Sequence, residues 1–95
     1  MDKSKDEFNE YKDEVIYSYA DKFINLANEM AKSDHSGNVG LALRYAAARF
    51  SVFEASTQTN NLARDKDKYF KLISDNLNTV LEINLEDYIK ILSQK

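Results

Sequence analysis

A chain of 95 residues, 43% hydrophobic, 12% aromatic and 31% charged, has the size and composition of one folded domain spanning 1–95 and is too apolar for a disordered segment. The lack of cysteine excludes a disulfide scaffold and any thiolate zinc site, and no run of about twenty apolar residues offers a membrane span. The formal charge of −3 is segregated: residues 1–34 carry nine acids against five lysines, 35–71 six basic residues against three acids, and 72–95 four acids against two lysines.

A basic middle between acidic ends points to packing within the molecule or between copies. Nucleic acid would need a denser, single-faced basic stripe than one interrupted by Glu54, Asp65 and Asp67. The first fourteen residues are charged and lack the apolar segment of a secretory signal, so a cytoplasmic location is expected. There is no proline, and the two glycines, Gly37 and Gly40, share one polar stretch. Long helices folded about a turn at 32–40 follow from that distribution.

The first helix is predicted over about 5–32. Phe8, Val15, Ile16, Tyr19, Phe23 and Leu26 recur at three- and four-residue steps, continued by Met30. Ser4 or Asp6 would cap its start, and residues 1–6 are expected to fray.

The second helix is predicted over about 39–57. Its principal face is Val39, Ala42, Leu43, Ala46, Phe50 and Phe53, expected to be the covered one. A second apolar row, Leu41, Tyr45, Ala48, Val52 and Ala55, lies on nearly the opposite side. A helix apolar on both sides is normally buried on both sides. A three-helix bundle covers one broad face, so the second row needs a bent third helix or another copy of the chain.

The third segment, about 62–92, presents Phe70, Ile73, Leu77, Val80, Leu81 and Leu85, with Tyr88 and Leu92 beyond. Asn84 sits in the middle of this continuous stripe and also reads as a helix N-cap followed by Glu86 and Asp87. The choice is one helix of about thirty residues, roughly 45 Å long and open to a kink, or two helices split near Asn84. The expected fold is all-α: three long antiparallel helices in a small bundle, with the short polar link 58–61 favouring antiparallel neighbours.

Three stretches in this order, Ala20-Asp21-Lys22-Phe23-Ile24-Asn25-Leu26-Ala27-Asn28-Glu29, Leu43-Arg44-Tyr45-Ala46-Ala47-Ala48-Arg49-Phe50 and Glu82-Ile83-Asn84-Leu85-Glu86-Asp87-Tyr88, resemble domain-of-unknown-function family 3144. The likeness covers most of residues 16–90. It implies a compact helical bacterial protein and brings no activity, substrate or catalytic residue. Ser51-Val52-Phe53 departs from the family, whose members tend towards Asn, Ala and a bulky aromatic there.

The chemistry-bearing residues are few. His35, the single histidine, sits in the predicted loop without a Glu-x-x-His or His-x-x-x-His partner, so it reads as a solvated residue and no metal site is expected. No Gly-x-Ser-x-Gly or phosphate-binding loop is present, so no catalytic residue and no cofactor is expected. Arg49 falls at the edge of the second helix's main apolar face beside Tyr45. A guanidinium there needs a partner. The expectation is an ion pair with Glu29, Glu54 or Asp21, and the functional alternative is a small-anion site built from Arg49 and Tyr45, with Glu29 nearby. Asn25, Asn28 and Glu29 read as a solvated polar face, and Tyr11 and Tyr17, off the main stripe, as interface tyrosines.

The reading these features support is a non-catalytic helical interaction module that forms a homodimer through Leu41, Tyr45, Ala48, Val52 and Ala55, helped by Leu72 and Ile83. An unidentified protein partner is compatible with it; nucleic acid and membrane are not expected.

Overall fold

A computed structural model describes residues 14–94, and the expectations for Ser4, Asp6, Phe8, Tyr11 and residues 1–6 lie outside them. Three helices follow in order: α1 (Glu14–Ala31), α2 (Asn38–Ser56) and α3 (Leu62–Ser93), with no strand among the described residues. The all-α architecture is the one the periodicity predicts, and the helix ends of α2 fall within a residue of expectation.

The turns explain where the helices stop. In the first, Asp34 Oδ1 accepts hydrogen bonds from the Ser36 amide (2.9 Å) and hydroxyl (2.6 Å). Ser36 Oγ in turn accepts from the Asn38 amide (3.1 Å), satisfying a donor at the start of α2 that no capping side chain reaches. These two donations hold the Asp34 carboxyl below its ordinary pKa. Gly37 takes φ 95°, where a side chain would be strained, and so lets the chain enter α2. In the second turn Asn61 caps α3 by accepting from the Arg64 amide at 3.0 Å.

Asn84 does not divide the third segment. Its Nδ2 donates to the Val80 carbonyl at 2.7 Å from inside a continuous helix of 32 residues. The N-cap pattern at Asn84 is overridden because the apolar stripe continues through it.

α1 touches α2 and α2 touches α3, but α1 and α3 do not meet among the described residues. The bundle is therefore open. Its radius of gyration is 15.8 Å, against about 12 Å for a compact chain of this length. Its accessible surface is 8476 Å², whereas a compact monomer of the same mass presents roughly 5,600 Å².

Ala55 is the only buried residue described, at 5% exposure. The principal row of α2, expected to be covered, stays open: Leu43, Phe50 and Phe53 are all exposed. On α1 the small Ala20, Ala27 and Ala31 are the half-covered residues, whereas Leu26 and Met30 stay exposed and Phe23, also exposed, only lines a groove against α2.

Candidate functional site

The outward side of α2 carries a groove of about 560 Å³ lined by Tyr45, Ala48, Arg49, Val52, Phe53 and Ser56. At 100° per residue these side chains centre on the opposite side of α2 from those that meet α1 and α3. Tyr45 is 66% exposed and Val52 49%. Leu41 continues the same row towards the N-terminus of α2 and is also exposed.

The structure thus brings Leu41, Tyr45, Ala48 and Val52 onto one free face. Ala55 does not belong there. It is buried where α2 meets α3, beside Tyr69, Leu72 and Ile73. Its position at the edge of the row nearest α3, close to the turn, places its Cβ under the neighbouring helix. Leu72 and Ile83 likewise lie away from the outward groove: Leu72 lines the α2–α3 junction, and Ile83 is half-buried on α3.

Arg49 shares the groove with Tyr45, but the expected ion pair is not formed with Glu29, Glu54 or Asp21 among the described residues. Glu29 is occupied on the exposed side of α1, where Lys32 donates to it at 3.0 Å. It is therefore no part of an Arg49 site. Because the bundle is open, no acid on another helix among the described residues comes within ion-pair reach of the guanidinium.

Two other surfaces were not read from the sequence. One is an apolar groove of about 500 Å³ between α1 and α2, lined by Phe23, Leu43, Ala46, Ala47, Phe50 and Ser51. Its signal was the pair of small residues Ala46 and Ala47 set between Leu43 and Phe50 on one side of the helix. The other is a polar depression at the second turn that includes Arg64, Asp65, Lys68 and Tyr69. There Arg64 donates from Nε to Asp65 Oδ1 (3.0 Å) and from Nη2 to Oδ2 (3.1 Å), and Thr59 Oγ1 donates to Oδ2 (2.6 Å). Arg64 first, then Thr59, holds the Asp65 carboxyl down at about 2. Arg64 is thus spent on the turn, while Lys68 places its Nζ 5.3 Å from the centre of the Tyr69 ring.

His35 is exposed in the first turn, and no cluster of three or more His, Cys, Asp or Glu able to hold a metal occurs among the described residues. Nor is any helix there long and apolar enough to cross a membrane.

The described residues thus form an open, all-helical chain in which Arg44 and Arg49 make no ion pair. The family model described as "Protein of unknown function (DUF3144)" matches residues 16–89, and the chain belongs to that family. Comparison with curated proteins and with solved structures gave no match.

Proposed function

We propose that this protein is a non-catalytic protein–protein interaction module that self-associates, with a homodimer as its smallest assembly. The observation that carries the reading is the outward row of α2, where Leu41, Tyr45 and Val52 stand exposed on a helix that is apolar on its other side as well. Contiguous apolar surface of this kind, rimmed by charge, marks an association site. Tyrosine and arginine in its centre suit an interface, where both are enriched.

Sedimentation equilibrium at micromolar concentration tests this. The wild type should run above the monomer mass, and Val52→Glu should shift it towards smaller species while helical dichroism is unchanged. A wild type that is monomeric throughout, or a Val52→Glu variant that unfolds, would count against the row as an interface.

A second reading has its own observation: Arg49 is unpaired among the described residues and lies beside the Tyr45 side chain in the outward groove. A small anion such as acetate or phosphate would take a charge-assisted hydrogen bond from it. Titration of the labelled protein with either anion should move resonances around Arg49, and Arg49→Gln should abolish the response.

A further inference from the structure

α3 carries an apolar face of its own. Phe70, Leu77, Leu81, Leu85, Tyr88 and Leu92 are each more than half exposed, Phe70 at 73%. Of the half-covered residues of α3, Leu62, Asp65, Tyr69, Ile73, Val80 and Ile83 lie about 100° round the helix, on the side that meets α2, Thr79 lies beyond them, and the short Ser74 sits within the stripe. The open stripe is therefore separate from the α2–α3 junction, and α1 does not reach it.

The charge along α3 is polarised. Residues 62–71 hold Arg64, Lys66, Lys68 and Lys71 against Asp65 and Asp67, whereas residues 72–93 hold Asp75, Glu82, Glu86 and Asp87 against Lys90. On the helical wheel Lys71 and Glu82 lie on one flank of the stripe, Lys71 also donating to Asp75 Oδ2 of its own helix at 2.9 Å.

We propose that α3 pairs antiparallel with α3 of a second copy about a two-fold axis passing between Asn76 and Leu77. That axis sets Lys71 against Glu82 of the other copy, a contact that occurs twice, with each Lys71 shared between that glutamate and its own Asp75. Antiparallel helices place the same flank of both copies side by side, which is the arrangement these charges require. The charge register also lies within about one residue of the helix midpoint, since α3 runs from Leu62 to Ser93. Two helices about 48 Å long then overlap along nearly their whole length, enough for a contact of ordinary interface size. A parallel pair would set the basic half on the basic half and the acidic half on the acidic half. The charges thus supply direction and register, and the stripe supplies the burial.

Single cysteines test the geometry directly, because the chain has none of its own. Under mild oxidation the full chain carrying Leu77→Cys should cross-link to a dimer, whereas Leu85→Cys should not. In the proposed register the two Leu85 positions are offset by roughly 25 Å along the axis, far beyond disulfide reach. Cross-linking of both variants, or of neither, overturns the proposal. A charge exchange keeps the test open should Leu77→Cys disturb folding. Lys71→Glu and Glu82→Lys should each weaken self-association about tenfold at low salt, and an equimolar mixture of the two should recover it, since both inter-copy pairs are then restored. A mixture no tighter than its components rejects the pairing. So does a wild type that is a compact monomer with α1 closed onto α3. The cross-link is read on α3 alone, so its failure is distinguishable from failure of Val52→Glu on α2.

Discussion

Thr59 and Asp65, six positions apart, are joined by a hydroxyl-to-carboxylate hydrogen bond of 2.6 Å that ties the second turn to the first turn of α3. The same Thr59 oxygen accepts from the Asn61 amide at 3.0 Å, and Asn61 caps the helix. This small network fixes the entry of the second turn into α3, in a molecule where Ala55 is the one buried residue among those described.

The Asp65 carboxyl should titrate with a midpoint near 2, below its ordinary 3.8, because Arg64 and then Thr59 favour the charged form. A depressed folded-state value stabilises the turn above the unfolded value, and that contribution is lost as pH falls from about 4 towards 2. Carboxyl-detected NMR titration checks it. Thr59→Val should raise the midpoint only in part, because the larger contribution, from Arg64, remains.

Asn61→Ala should destabilise the chain by about 1 kcal/mol, the usual cost of removing a capping side chain. Urea unfolding followed by dichroism measures it.

The two glycines should respond with opposite sign. Gly37→Ala forces a side chain into φ 95° and should cost about 1 kcal/mol. Gly40 lies inside α2, where an added Cβ meets only Arg44 Nη1 at 3.5 Å, an ordinary contact. Gly40→Ala should therefore stabilise by roughly 0.5–1 kcal/mol. Thermal unfolding of both variants side by side decides it.

Asn84→Ala distinguishes a helix interior from a helix start. Asn84 sits within continuous α3 and bonds back to Val80, so alanine should be neutral or stabilising by a few tenths of a kcal/mol. Were Asn84 a cap, the same change would lose about 1 kcal/mol. Unfolding midpoints give the sign.

On α2, Val52→Glu and Ala55→Glu should part company. Val52 faces the open groove, whereas Ala55 is buried against α3. The first should leave helicity and the α2–α3 contact intact, and the second should separate the helices. Amide exchange in the second turn reports the difference.

The helices themselves, the turn at Gly37 and the doubly apolar character of α2 are determined by the sequence. Periodicity and the placement of two glycines are local properties that need no knowledge of neighbours. The continuity of α3 through Asn84 was undecided at that level, because an asparagine that could cap and one that bonds back to its own helix look alike in one dimension. The fate of Ala55 and Arg49 belonged to the tertiary structure alone. Whether an alanine is covered, or a guanidinium meets a carboxylate, depends on which helix passes within a few ångströms. In this open arrangement α3 passes over Ala55, while no acid among the described residues pairs with Arg49.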